Sequence, residues 1–496
     1  MTFAEILKKL LNQQNEMVYT ENGDLAYRHT VNANLDFFGT AGSMRQDPDQ
    51  ALRMFEAAYQ EDRVTAVKNL FYLRDILGGL GEREVFRRCF RYLCDADTET
   101  AVKMFPYVVE YGRYDDLFAA YCTAAEKQMA AFVGRQLVED LDMLKQNWNV
   151  SLLPKWMPSV NASSKQTREL ARFFMKELDL NAASYRKMLS ALRKGRILEN
   201  NLREKDYTFD YQTVPSAALH KYRKAFAAND GERYDAYVRA AAEGKAFVNA
   251  SAVFPYQIIS EYKREMNETE QLAMQVKWDE MKRNLKAADQ TIVVRDGSYS
   301  MTYPKEAILN STALAILYAE LLKGEFADKF ITFSSRPQLI ELDQGMNLYE
   351  KLKKTYSHQD ITNTDIKKVY DLIFETSLRI KNPADYIKRV VIISDMQFDA
   401  GRYNVPTYEA MKRKFKYAGI PVPKVVYWNV NASRVQFAAD TGETNVRYIS
   451  GCTPQVIQAL MKDNVSSPEE YMQLTLRKYD KAAKKVTRDE KNRRWI

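Results

Sequence analysis

The strongest constraint on the fold lies in the second half of the chain, where short β-branched runs alternate with stretches of helical spacing. Residues 290–295 form the first such run, and residues 389–394 read as a strand that is apolar on both faces. Further strand-like runs fall at 328–333, 424–428 and 445–450. Helical spacing occupies 304–322, 346–356, 364–378, 407–418 and 454–462. Strands alternating with helices predict a doubly wound, mostly parallel sheet.

Before about residue 286 the pattern is helical throughout. One helix opens at Asp47-Pro48-Asp49. Others are expected at 64–77, 82–94, 98–110, 114–146, 164–179, 182–194, 216–228 and 232–243, with strand alternation nearly absent. Gly78, Gly79 and Gly81 read as a glycine stop after the second helix. No strict repeat period is visible, yet helix pairs in series predict a solenoid-like or curved array. The expected class is therefore α plus α/β, with a helical domain over 1–286, an α/β domain over 287–463, and a basic C-terminal helix or tail over 464–496.

Composition narrows the setting. A chain that is 46% hydrophobic and 28% charged is globular rather than disordered. No eighteen apolar residues run together, so no membrane partner is expected. Residues 1–11 read as an amphipathic helix carrying Glu5, Lys8 and Lys9, a poor secretion signal. The four cysteines and three histidines are unclustered, which disfavours disulfides and zinc. The cysteines read as small buried hydrophobes in a reducing cytoplasm. The net charge is +8, but residues 474–496 alone hold nine basic against three acidic residues. The rest of the chain is close to neutral, so any basic surface there must be local.

The most specific motif is Asp296-Gly297-Ser298-Tyr299-Ser300, directly after the first strand of the α/β domain. Ligands of open α/β sheets sit at the carboxyl ends of strands. In a tight turn Ser298 and Ser300 can point their hydroxyls the same way as the Asp296 carboxylate, and Gly297 relieves crowding. Asp395 ends the buried strand 389–394 on the same sheet edge, and Thr364 opens a helix where it can add a hydroxyl. Carboxylate and hydroxyl oxygens suit a hard cation, Mg²⁺ first, with Mn²⁺ or Ca²⁺ also compatible. The plainer reading is a turn whose Asp and Ser cap a helix. The arrangement is similar to the metal-ion-dependent adhesion site of von Willebrand factor A domains. By that resemblance Asp296, Ser298 and Ser300 form the first motif, Thr364 the second, with Thr362 competing for its place, and Asp395 the third.

Such a site is expected to dock a partner's carboxylate rather than to catalyse. No nucleophile and base stand together, and His358 is the α/β domain's single histidine. A metal-dependent hydrolase is a third reading.

Several clusters mark the helical half: Thr20-Glu21-Asn22-Gly23, Asn34-Leu35-Asp36-Phe37-Phe38, Leu73-Arg74-Asp75 with Gly79-Leu80-Gly81-Glu82-Arg83, Tyr111-Gly112-Arg113-Tyr114-Asp115-Asp116-Leu117, Lys155-Trp156-Met157-Pro158-Ser159, Tyr185-Arg186-Lys187 and Val214-Pro215-Ser216. In this order, and with the metal loop, they resemble domain-of-unknown-function family 2828, a group similar to the Ro/TROVE ribonucleoproteins. That resemblance implies a ring or arc of HEAT-like repeats closed by the von Willebrand A-like domain, and RNA as a partner. The residues offer candidates for it. Arg186, Lys187, Arg193, Lys194 and Arg196, then Lys221, Arg223 and Lys224, are basic positions interleaved with Tyr, as single-stranded RNA binding requires. A further basic run is Lys412-Arg413-Lys414-Phe415-Lys416. Arg74, Arg83 and Arg113, each near an acid, read as inter-helix salt bridges. The expected function is a non-enzymatic RNA-binding scaffold with a metal-dependent docking site, or alternatively an adaptor that docks a partner's carboxylate without RNA.

Overall fold

The computed structural model describes residues 17–194, 197–250, 253–283, 285, 290–333, 336–358, 364–399, 405–439, 443–461 and 467–488. The expected helix at 1–11 lies outside them. The described chain opens with a short antiparallel pair, β1 (Met17–Tyr19) and β2 (Leu25–Tyr27), which helical spacing did not announce.

A helical region follows, from Ala33–Thr40 to Glu268–Lys282. Three of its early helices begin where acidic side chains satisfy free amide groups. Asp47 caps Pro48–Glu61, Asp62 caps Arg63–Arg74, and Asp97 caps Thr98–Tyr111. The second of these ends at Arg74, ahead of the glycines expected to stop it. Asp75 takes over, its carboxylate accepting the amides of Leu77 and Gly78 at 2.9 Å each. The glycines serve the return of the chain, since a Cβ at Gly79 would lie 2.0 Å from the Tyr72 carbonyl oxygen. The expected single helix over 114–146 is two elements, a 3-10 helix Tyr114–Ala120 and the helix Glu126–Lys145. Between them Cys122 has φ of 57°, and Thr123 turns its hydroxyl back to the Ala120 carbonyl.

The α/β unit is a six-stranded sheet in the order β5-β4-β3-β6-β7-β8. Its strands are β3 (Thr291–Arg295), β4 (Lys329–Thr332), β5 (Leu339–Glu341), β6 (Arg389–Ser394), β7 (Lys424–Asn429) and β8 (Val446–Ser450). All neighbours are parallel except β4 and β5. Side chains alternate between two cores. Ile292, Val294, Val390, Ile392, Val425 and Tyr427 meet helices Ile366–Arg379 and Thr407–Tyr417. Val293, Val391, Ile393, Val426 and Trp428 meet helix Lys305–Leu321 on the other face. Burial on both faces is why the strands read as unbroken apolar runs.

Helix Lys305–Leu321 is buried almost all round because the helical region covers its outer side. At that junction Glu320 accepts Trp278 Nε1 at 2.8 Å, Lys282 Nζ at 2.9 Å and Lys351 Nζ at 2.7 Å. One apolar core runs from Leu35 and Phe37 through the helices to Trp428 and Ile449. The N-terminal segment is stitched to the sheet as well. Tyr27 bridges to Phe437, and Ser450 Oγ accepts the Gly42 amide at 3.1 Å. The C-terminal helices Pro468–Leu476 and Asp480–Val486 return to the first helices, where Tyr479 Oη donates to Asp75 Oδ2 at 2.8 Å. Leu476, Tyr479, Ala483 and Val486 are buried there, while Arg477, Lys481, Lys484, Lys485 and Arg488 stay exposed. All four cysteines are free; Cys89, Cys94 and Cys452 are buried as expected, whereas Cys122, in the turn after the 3-10 helix, is exposed. Among the described residues no helix is long and apolar enough to cross a membrane.

Candidate metal centre

β3 and β6 lie side by side and parallel, and the sheet is extended in opposite directions from them, by β4 and by β7. The carboxyl ends of such a strand pair flank the crevice where open α/β sheets hold ligands. Asp296 and Asp395 are the residues that follow β3 and β6.

Each is fixed by its own loop. Asp296 Oδ1 accepts the Ser298 amide at 2.9 Å, and Oδ2 accepts the Ser394 hydroxyl at 2.5 Å. Ser298 Oγ and Ser300 Oγ are 3.0 Å apart, and the Ser300 hydroxyl bonds to Asp395. Asp395 Oδ1 accepts the Gln397 amide at 3.1 Å. Gly297 sits on the buried guanidinium of Arg295, where a Cβ would come within 3.2 Å of Nη1. That guanidinium is directed at Thr312 of the helix behind, its Nε donating at 3.0 Å.

Asp296 is 0% and Asp395 2% exposed. Burial, and then the charge of Asp296, push the Asp395 carboxyl up to about 7. Burial also raises Asp296, against the opposing effect of its bonds to Ser394 and Ser298. Two carboxylates held this way are tolerated when a proton or a cation sits between them. Among the described residues no three His, Cys, Asp or Glu side chains gather as a metal-binding group, and the oxygens around these two carboxylates are serine and threonine hydroxyls. That chemistry fits a hard divalent cation and does not fit zinc.

Thr364 is buried at the edge of this group. Its Oγ1 accepts Asn22 Nδ2 at 3.0 Å, and its amide donates to Asp399 Oδ2 at 3.1 Å. Thr362 and the RNA candidate Arg196 lie outside the described residues. Asn22, Ser394, Gln397 and Asp399 were not singled out for the site by sequence reasoning. Ser394 was legible as the last residue of the buried strand. Asn22 stood in a noted cluster, but nothing local tied that cluster to the metal loop.

The basic candidates divide. Arg193 is committed to the chain itself, donating to the carbonyls of Pro154 at 2.7 Å and Met157 at 2.6 Å. Arg223 donates to the His220 carbonyl at 2.6 Å and pairs with Glu261 at 3.5 Å. Arg186, Lys187, Lys194, Lys221 and Lys224 are exposed, Arg186 bonding to its own helix at Ala182 and Lys221 lying over the Tyr222 ring. In the α/β unit Lys412 pairs with Glu443, and Lys414 with Asp371. Arg74 bridges helices to buried Asp116 at 2.7 Å, whereas Arg83 pairs with its neighbour Glu84 and Arg113 with Asp115. His29 faces Asp36, His220 bonds Glu261, and exposed His358 bonds Ser357 and the Lys354 carbonyl.

The family described as a domain of unknown function, DUF2828, matches residues 20–129 and 121–291, more than half of the chain. The chain belongs to the DUF2828 family. A second family, also described as a domain of unknown function, DUF7788, matches residues 290–494 of this DUF2828 protein. Asp296, Ser298, Ser300, Thr364 and Asp395 thus lie in the second match, and Asn22 in the first. The DUF2828 protein is 27% identical to the uncharacterized protein L728 of Acanthamoeba polyphaga mimivirus, over 91% of this chain and 85% of that one.

Proposed function

We propose that this protein is a non-enzymatic scaffold whose α/β unit docks a partner through a divalent cation. Asp296, Ser298, Ser300, Thr364 and Asp395 hold the cation, Mg²⁺ first among the hard ions, in the manner of the von Willebrand A adhesion sites they resemble. The observation that carries this reading is the pair of buried carboxylates, Asp296 and Asp395, near enough for the charge of one to raise the other, among hydroxyls where the sheet's strand order reverses. A cation held by two carboxylates and neutral oxygens keeps water positions open to a partner's carboxylate. Tyr299 and Tyr303, 76% and 87% exposed, stand beside the metal loop and offer the aromatic contact typical of protein interfaces. Calorimetric titration of Mn²⁺ or Mg²⁺ into the chelator-stripped protein tests it. One site that disappears in Asp296→Ala is expected, and binding unchanged by that substitution refutes it.

A second reading, RNA held by the Ro-like helical region, would use a groove of about 740 Å³ lined by Arg87, Arg88, Arg91, Phe118 and Trp156 together with Asp49, Glu84 and Asp115. Arg87 and Arg88 pair there with Asp115 and Asp49 and would have to exchange those partners for phosphates. Arg113 and Lys155 lie 4.6 and 5.8 Å from the Trp156 ring centre, an arrangement suited to stacked bases beside phosphates. The exposed Lys187, Lys194, Lys221 and Lys224 would supply further phosphate contacts. Electrophoretic shift of single-stranded and structured RNA in moderate salt tests this reading, and no shift at micromolar protein rejects it.

A further inference from the structure

One wall of the metal centre comes from the far end of the chain. The turn between β1 and β2 places Asn22 against both loops that carry the site's later residues. Its Nδ2 donates to Thr364 Oγ1 at 3.0 Å and to the Gln397 carbonyl at 2.7 Å. Beside it the Glu21 amide donates to Gln397 Oε1 at 2.9 Å, and the Gln397 side-chain amide is anchored in turn on Ser433 Oγ at 2.9 Å.

The turn is itself held firmly. Thr20 Oγ1 donates to the Phe398 carbonyl at 2.6 Å and accepts the Asp24 amide at 2.9 Å. Asp24 Oδ1 accepts the Thr407 hydroxyl at 2.8 Å, and Gly23, with φ of 92°, pairs with Asp399. Asn22 is therefore delivered by a fixed backbone. An amide nitrogen has two hydrogens, and here each has its own acceptor. One bond occupies a lone pair of the Thr364 hydroxyl and so limits the directions its oxygen can present. The other fixes the loop two residues after Asp395.

We propose that Asn22 is a positioning residue of the metal centre, holding the Thr364 hydroxyl and the loop after β6 in the relation that cation binding needs. The inference rests on the cation reading above and adds a consequence that the reading lacks. A residue of the DUF2828 match tunes a site in the DUF7788 match, so the docking of the N-terminal turn and cation occupancy favour one another.

The test is Mn²⁺ titration of the full-length chain as wild type, Asp296→Ala, Asn22→Ala, Thr364→Val and the Asn22→Ala/Thr364→Val double variant, each checked for folding by melting in chelator. Groups that orient metal ligands typically contribute 10–100-fold in affinity. Asn22→Ala is expected to weaken Mn²⁺ by about that factor, and by only about twofold when Thr364 is already Val, because the two act as a unit. Asn22→Ser, a shorter donor, should fall between wild type and Asn22→Ala and replaces the latter if it does not fold. Wild-type affinity in Asn22→Ala, or an equal loss in both backgrounds, overturns the role of Asn22 while Asp296→Ala still tests the site. Absence of binding in wild type overturns both readings.

Discussion

Replacing Asp395 with Asn should stabilise the cation-free protein, although it removes a proposed ligand. In the folded chain burial and the neighbouring Asp296 charge move the Asp395 carboxyl from an ordinary 3.8 to about 7. The folded state therefore binds a proton more tightly than the unfolded chain between those values, and stability falls as pH rises through that window. The penalty is absent below about pH 4 and complete above about pH 7. At about 1.4 kcal/mol per pH unit it amounts to about 4 kcal/mol at pH 8 and about 2 kcal/mol at pH 5. Asn keeps an oxygen for the Gln397 amide and offers a donor to Ser300 without the charge. Urea unfolding in EDTA at both pH values measures the difference. The variant should exceed wild type by several kcal/mol at pH 8 and by clearly less at pH 5. An equal or lower stability at pH 8, or a gain independent of pH, would refute the electrostatic reasoning.

Saturating Mg²⁺ should also stabilise the wild type. At a hundred times Kd it adds about 2.7 kcal/mol to unfolding stability, read as a rise in melting temperature that Asp296→Ala does not show. Glu320→Ala leaves Lys351 and Lys282 without their shared carboxylate; with Lys351 and Glu320 only 7% and 5% exposed, a loss of roughly 3–5 kcal/mol is expected, and a urea midpoint close to wild type would contradict it. Gly79→Ala forces a methyl against the Tyr72 carbonyl oxygen and should cost about 3 kcal/mol by the same measurement.

What could be read from the sequence follows from how local its causes are. Strand β6 was legible because both of its faces are buried, so Val390 to Ile393 are all apolar. Its neighbours fell within about two residues of their expected bounds for the same reason. β5 escaped notice since only Ile340 of its three residues is buried, too short a run to show a period. β1 and β2 escaped because each is only three residues long, and the bridges that tie their hairpin to the sheet, from Gly23 to Asp399 and from Tyr27 to Phe437, are made far along the chain. The metal loop was visible as a spacing, Asp-x-Ser-x-Ser, and its companion Asp395 as the end of a strand. Asn22 was not, because its meaning depends on acceptors at Thr364 and Gln397. The basic helices show the complementary limit. Periodicity assigned Arg193 and Arg223 to helices, yet only the folded chain reveals that carbonyls and Glu261 already occupy them.

The return of the C-terminal helices to the first ones carries a kinetic consequence. Tyr479 closes on Asp75 across 404 residues of sequence, and Ser450 closes on Gly42 across 408. Contacts this distant in sequence slow folding, because loop closure precedes any reward from packing. On a ribosome adding about 5–20 residues per second, the first helices wait roughly 20–80 s for the strand and helices that complete their core. During that interval Phe38, Phe71 and Tyr72, buried in the finished fold, face solvent or a holdase. Chaperone demand in this protein should therefore be set by its earliest helices and be discharged only as its last ones emerge.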